Sequence, residues 1–341
     1  MCARAVMTGM VLWLAAALAC AQVELVLPTE NSALLEQRPE AYFQYVDRTF
    51  EGEKSTPWEG GQFGFVRDPR RLGSRIAFAR FHEGLDVRPL RRDARGDPLD
   101  EVRVIADGQV VHVTAASNQS NYGRYIVVRH DFPGTGPLFS LYAHLREART
   151  AAGEKVRAGQ GIGVMGYTGA GIDQRRAHVH VELNLLLSSQ FEAWHAAHFT
   201  TPNHHGLYNG LNLIGTDLQA LYLARQRDPA LSLVAFLRGQ DVAYRVRVPA
   251  TARMEIAGLY PWLLTGGTAK GASWEVGFTR WGQPVSVTGA AGAVAEPVVS
   301  WVRDSGLPHY LNTRGIVTGS GTSGKLTVEG LRFVKLACGL P

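Results

Sequence analysis

AHVHVELNL, residues 177–185, is the stretch on which the reading of this chain turns. Its side chains alternate strictly: His178, His180, Glu182 and Asn184 share one side, Val179, Val181, Leu183 and Leu185 the other. A period of two belongs to a β-strand, and apolar residues opposite polar ones predict a half-buried strand whose polar face serves something other than the core. Residues two apart on a strand project to the same face with Cα atoms about 6.6 Å apart. Both imidazoles can therefore reach one small site, one of them more closely than the other. That suits a division of labour in which one histidine binds a metal ion and the other works on bound water or substrate. A helical metal-binding pair would be spaced i, i+4 instead.

A second pair lies far upstream. His82 and Asp86 have the i, i+4 spacing, yet Gly84 lies between them and Leu85-Asp86-Val87 reads as strand. A fully extended four-residue step spans about 13 Å, whereas donor atoms each about 2 Å from one Zn²⁺ lie far closer together. The segment is therefore expected to bend, with Gly84 as the residue that permits it. Two neutral imidazoles and one carboxylate would leave a fourth position open to water, as a catalytic zinc site requires. The chain has 11 histidines, and most need no such role. His112 and His130 fall on predicted strands and read as structural. His195, His198, His204 and His205 surround a loop marked by Pro202-Asn203 and Gly206, with no carboxylate or cysteine at ligand spacing.

Taken together, His82-x-x-x-Asp86, Tyr142-Ala143-His144-Leu145, Gly166-Tyr167-Thr168-Gly169 and His178-Val179-His180-Val181-Glu182 resemble the M23 family of lysostaphin- and LytM-type peptidases. The resemblance covers residues 78–187, about a third of the chain, with the motifs in the family's order. Asp107-Gly108-Gln109-Val110-Val111 and Gly159-Gln160 are similar to its β-core. The resemblance implies an antiparallel β peptidase core of lipoyl/hammerhead-like type, with one Zn²⁺ on His82, Asp86 and His180. It also implies His144 and His178 as the catalytic pair, and peptide cross-links of bacterial peptidoglycan as substrate. Glu182, on the same strand face, either orients a ligand imidazole from behind or is a solvated strand carboxylate. Tyr122 and Thr168 are candidates for the substrate groove, with a packed aromatic beside a turn the favoured reading of Tyr122. Two departures stand out. Ala177 occupies a position where the family usually has proline, and residues 88–100 form a longer, more charged insertion. Neither touches a ligand, so substrate preference rather than competence should differ.

Outside the core, residues 34–46 are helix-compatible despite Pro39, within an N-terminal extension over residues 22–77. VRVIADGQVVHV, residues 102–113, reads as two strands joined in a hairpin at Asp107-Gly108. Residues 188–241 read as a mostly helical connector, with 191–199 as one helix. Thr216 would cap another over 218–225, with Gln219 as its capping-box partner. From residue 242 to 341 period-two alternation returns (Tyr244, Val246, Val248; Trp274, Val276, Phe278), predicting a sandwich-like β-rich module. The whole is thus mainly β, α+β overall. Trp262, Trp274, Trp281 and Trp301 of that module are either core or a wall-binding surface.

The N-terminus reads as an export signal over residues 1–21: Arg4, then the apolar run MVLWLAAALA (10–19), then Ala19-Cys20-Ala21 before a cut at Gln22. The run is shorter than the roughly 20 residues a membrane span needs. A lipid anchor on Cys20 is the competing reading of the same residues. Periplasm, cell envelope or the exterior is the expected location. Cys338 would stand alone in the mature chain, so no internal disulfide is expected. The net charge is +5, which favours anionic surfaces; acidic wall polymers suit an exported protein better than nucleic acid does. The rival functions are a latent enzyme, or a non-catalytic wall-binding protein that regulates other hydrolases. A lipoyl-type carrier is disfavoured, because residues 164–170 offer no lysine for a hairpin tip.

Overall fold

The computed structural model describes residues 24–266 and 271–341; the expected leader, with Cys2 and Cys20, lies outside them. A seven-stranded antiparallel sheet forms the centre. Its order is Lys155–Val156, Gly108–Thr114, Tyr125–Phe132, Gly136–Ala143, Val179–Leu186, Leu213–Gly215, with Leu85–Val87 also paired to Val179–Leu186. The H-x-H strand is therefore flanked on one edge by the strand that ends before His144. On its other edge lie, end to end, the Asp86 strand and Leu213–Gly215. Val179, Val181, Leu183 and Leu185 enter the main apolar core. The opposite face carries Tyr125, Val127, Leu141 and Ala143 beneath Tyr122, Leu207 and Tyr208. The alternation thus assigns the two faces, but the strand is buried along its whole length, not half-buried. The polar side chains lie under a second cover.

A long hairpin, Gly64–Leu72 with Arg75–His82, delivers His82 at its end. The expected boundary at 77/78 falls inside the second strand of that hairpin. The predicted helix over 34–46 shrinks to one turn, Pro39–Tyr42. Gln37 takes φ 60 just before it, which ends any continuous helix, and Tyr42 and Phe43 turn into the core. Asp107-Gly108 does not join a hairpin. Glu101–Arg103 pairs with Gly161–Val164, whereas Gly108–Thr114 pairs with Tyr125–Phe132 in the other sheet. The corner is held by its neighbours: the Asp107 carbonyl accepts from His130 Nδ1 at 2.8 Å, and the Asp107 carboxylate from Ala158 N at 2.8 Å. A tight-turn dipeptide reports a change of direction and says nothing about which strand comes next. The helix Leu218–Arg227 is capped by Asp217, whose carboxylate accepts from Ala220 N at 2.8 Å, in place of Thr216.

The C-terminal residues form a four-stranded antiparallel sheet, ordered Pro284–Ala290, Ser273–Phe278, Tyr244–Pro249, Val298–Val302. The helix Val328–Cys338 carries Val334, Leu336 and Ala337 into the apolar core. Cys338 is buried and unpaired. This part is joined to the central sheet by one continuous apolar core and by specific polar ties. Tyr260 Oη accepts from Leu186 N and donates to the Pro137 carbonyl, both at 2.8 Å. Trp262 Nε1 donates to Thr135 O and Trp281 Nε1 to Gly215 O. Trp281 also stacks on Phe81, beside His82, at 5.9 Å. These two indoles are structural, while Trp301 is 42% exposed. Among the described residues no helix is long and apolar enough to cross a membrane.

Replacing Tyr260 with Phe keeps the packing but strands the buried Leu186 N–H and Pro137 carbonyl. Urea unfolding should show a loss of about 1–3 kcal/mol, the usual cost of a buried polar group left unpaired. Unchanged stability would deny the tie its role.

Candidate metal centre

His180 and Asp86 are direct cross-strand partners, a position that brings same-face side chains to about 4.5–5.5 Å at Cβ. His82 arrives from the hairpin through the two residues Glu83-Gly84. The bend does not use the left-handed region at Gly84. Its glycine is needed for space: an added Cβ would stand 2.4 Å from the Val181 carbonyl and 2.9 Å from His180 Cε1. The expected bend is present, for a different reason from the one the sequence suggested.

Three donor atoms converge. His82 Nε2 lies 3.1 Å from Asp86 Oδ1 and 3.1 Å from His180 Nδ1, and His180 Nδ1 lies 2.9 Å from Asp86 Oδ1. All three residues are at most 5% exposed. A tetrahedral zinc with bonds of about 2.0–2.1 Å has ligand–ligand edges of roughly 3.3 Å, close to these separations. The tautomers make the fit sharper. His82 Nδ1 faces the Gln62 carbonyl at 2.7 Å, and a carbonyl only accepts, so that nitrogen carries the hydrogen. His180 Nε2 donates to Glu182 Oε1 at 2.7 Å. With both rings neutral, two lone pairs and a carboxylate oxygen would meet at one point. Three acceptors facing one another are repulsive without a cation or a proton among them. The donor set suits zinc.

The remaining histidines follow the same rule. His178 Nδ1 donates to the Arg176 carbonyl at 2.6 Å, and His178 Nε2 sits 3.4 Å from Asp86 Oδ1. His144 Nδ1 donates to the Thr168 carbonyl at 2.8 Å, and its ring centre lies 4.8 Å from that of His178. Both Nε2 atoms are left for the shared space. His144 holds φ 63, uncommon and strained for a residue with a side chain. Its N–H donates to the Tyr122 carbonyl at 2.9 Å, so backbone and ring are both tied in place. The loops behind it touch at paired glycines: a Cβ on Gly123 would lie 2.4 Å from the Thr168 carbonyl carbon, and one on Gly169 would lie 2.2 Å from Asn121 O.

Behind the three converging donors runs a ladder along one strand face. Glu182 accepts from His180 Nε2 and from Tyr122 Oη at 2.7 Å on Oε1, and from Asn184 Nδ2 at 2.9 Å on Oε2. Burial opposes ionisation of Glu182, but these bonds outweigh it and hold its carboxyl below the usual range. Burial likewise works against the charged form of Asp86, yet the histidines and Arg67 around it keep its carboxyl well below the ordinary value. His82 and His144 are pushed down, chiefly by burial. His180 behaves oppositely. Burial lowers it, but its bonds to Asp86 and Glu182 and their charges raise it to about 10.

The centre opens on a groove of about 1350 Å³. Its walls come from residues 45–49 and 67–69 of the N-terminal region, 119–122, 170–172, 201–211 and, in the C-terminal part, Tyr310 and Arg314. Tyr122 lines it, while Thr168 does not and instead supports His144 from behind. Ala177 has φ −51 and ψ 134, values open to proline, but its N–H donates to the Gln174 carbonyl and closes the turn before the H-x-H. The charged insertion packs on that turn, Arg92 donating to the carbonyls of Gln174 and Arg175. Inspection of the sequence missed Arg67, which donates to Asp86 Oδ2 at 2.5 Å. In sequence it is one arginine of a basic cluster, and no spacing rule connects it to Asp86. Arg314 was missed for the same reason; it pairs with Glu83 at 2.8 Å and sits over the Phe81 ring.

Residues 80–190 match the sequence model of Peptidase family M23. No curated protein matches the chain. Among solved structures, it is similar to a zinc-containing peptidase from Vibrio cholerae, at 22% identity and a TM-score of 0.26, over 42% of this chain and 36% of that one. The chain thus spans about a third of that protein's length. It is also similar to the catalytic domain of a prophage-encoded M23 protein from Enterococcus faecalis (22%, TM-score 0.26, 41% of this chain and 79% of that one). A third is the catalytic domain of lysostaphin from Staphylococcus simulans (23%, TM-score 0.25, 41% and 79%).

Two outcomes follow from the geometry. Gly84→Ala forces the Val181 carbonyl and His180 apart, and should cost about 1–3 kcal/mol by overpacking and weaken metal uptake, both read from melting curves with and without added zinc. In metal-free protein the raised His180 contributes stability that is complete below its unfolded value near 6.5 and lost as the pH climbs through about 10. Cation binding near pH 8 should therefore expel about one proton per ion, measurable by titration calorimetry in buffers of different ionisation enthalpy. Uptake without proton release would contradict this arrangement.

Proposed function

We propose, from the premise that residues 80–190 of this chain are a peptidase family M23 domain, that the protein is a zinc-dependent endopeptidase acting on peptide cross-links of bacterial peptidoglycan. The observation that supports the metal is the meeting of His82 Nε2, Asp86 Oδ1 and His180 Nδ1 within 4.8 Å of one another, with each ring's second nitrogen already committed. These three residues would hold the ion. A bound zinc supplies Lewis acidity, bringing the pKa of water toward about 7 and polarising a peptide carbonyl.

The chain's own side chains do the rest. His144 and His178 have Nδ1–H anchored on backbone carbonyls, so each offers Nε2 toward the scissile bond. His144 is held neutral at pH 7, mainly by burial and then by the neighbouring imidazoles. A neutral Nε2 accepts a proton from the attacking water, and the protonated ring then donates to the developing oxyanion or passes the proton to the leaving amine. Glu182 keeps the His180 ring turned so that Nδ1 points inward. Thr168, through its carbonyl, does the same for His144.

The groove walls suit an acidic peptide. Arg48 and Arg80 line them, and neither has a carboxylate ion pair among the described residues. Arg80 lies two residues before His82 on the same strand and so faces the same way. An exported location, set by the leader over residues 1–21, would bring the groove to its substrate.

The test is a pair of variants assayed for zinc content and for release of peptide fragments from purified peptidoglycan. His180→Ala should lose zinc and activity together. His144→Ala should keep its zinc and lose about 10²–10⁴ in kcat, the range for a removed general acid–base group. A His180→Ala protein that retained both metal and activity would refute the ligand assignment. Intact zinc with no fragments released from any peptidoglycan would point to the regulatory alternative.

A further inference from the structure

Arg67 lies outside the stretch that matches the peptidase family, on the first strand of the hairpin that delivers His82. The hairpin register jumps from Phe65↔Phe81 to Arg67↔Arg80, so Val66 is an extra residue. Such a bulge re-aims the side chain beside it. Arg67 is turned inward, with Nη2 2.5 Å from Asp86 Oδ2 and Nε donating to the Gly60 carbonyl at 2.8 Å. The guanidinium is thus fixed at two points, and its fork is rigid.

The two oxygens of Asp86 are sharply divided. Oδ1 faces His82, His180 and His178 at 3.1, 2.9 and 3.4 Å, while Oδ2 faces Arg67. A free carboxylate can offer both oxygens to one cation. The side chain of Asp86 is only 5% exposed, and Arg67 covers its second oxygen. We infer that Arg67 is a positioning residue that restricts Asp86 to a single metal-binding oxygen, and so keeps one coordination position free for water. The inference rests on the metal-site reading proposed above. Removing the guanidinium would let Oδ2 turn toward the ion beside Oδ1, which would raise the coordination number by one. A role in stability alone would lower the melting temperature without changing the coordination.

The experiment uses the full chain and its Arg67→Met and Arg67→Lys variants, each checked for fold by near-ultraviolet circular dichroism. Zinc affinity is measured by competition with a chromogenic chelator, and the visible d–d bands of the cobalt(II)-loaded proteins report coordination number. The wild type should give the intense bands of four-coordinate cobalt. Arg67→Met should give the weaker bands of a higher coordination number and bind zinc about 10–100-fold less tightly, the usual loss when a partner of a metal ligand is removed. Arg67→Lys keeps the charge but cannot hold Gly60 and Asp86 together, and should fall between the two. Folded variants with wild-type affinity and wild-type bands would overturn the inference. Should Arg67→Met not fold, Arg67→Lys decides on the same two readouts. A wild-type chain that binds no zinc would overturn the metal-site reading, and this inference with it.

Discussion

Three acceptors aimed at one buried point are the constraint on which the rest of the molecule depends. His82 Nε2, Asp86 Oδ1 and His180 Nδ1 sit about 3 Å apart, and each has lost the freedom to turn away. His82 is held through Gln62, His180 through Glu182, and Asp86 through Arg67. In a buried setting such a cluster is unfavourable until a positive charge enters it. A proton on His180 can serve, which is why that ring is pushed so far up. A divalent ion serves better, since it satisfies all three at once. The supporting shell thus holds the three donors in an arrangement that favours a cation among them.

That shell is drawn from well beyond the region of family similarity. Gln62 and Arg67 belong to the N-terminal hairpin region, and Arg314 from the C-terminal part pairs with Glu83, next to His82. Trp281 stacks on Phe81 and bonds to Gly215. The strand bearing His82 is therefore clamped from both sides by segments that carry no motif. Arg67 and Arg314 from those segments also line the groove, beside His82, Asp86, His144, His178 and His180.

Several expectations failed in instructive ways. Asp107-Gly108 makes a corner between two sheets where a hairpin was expected, because turn chemistry reports local backbone shape while pairing is decided by distant strands. Gly84 was assigned to a bend and instead makes room for the Val181 carbonyl; contact between segments 97 residues apart leaves no local trace. Asp217 outcompeted Thr216 as helix cap, a one-residue choice between two capable side chains. The helix expected over 34–46 yielded to the burial of Tyr42 and Phe43.

The sequence by itself determined the elements whose signal is periodic or short-range: the two-faced strand at 177–185, the apolar strands around it, and the histidine and aspartate types able to bind a borderline metal. Period and side-chain chemistry are properties of a few neighbouring residues, so they survive without the fold. Tertiary structure alone decided which nitrogen of each ring is free, that Arg67 restrains Asp86, and that six separate stretches wall one groove. Each of those is a relation between atoms brought together by strand order and a single bulge, across separations at which sequence carries no distance information.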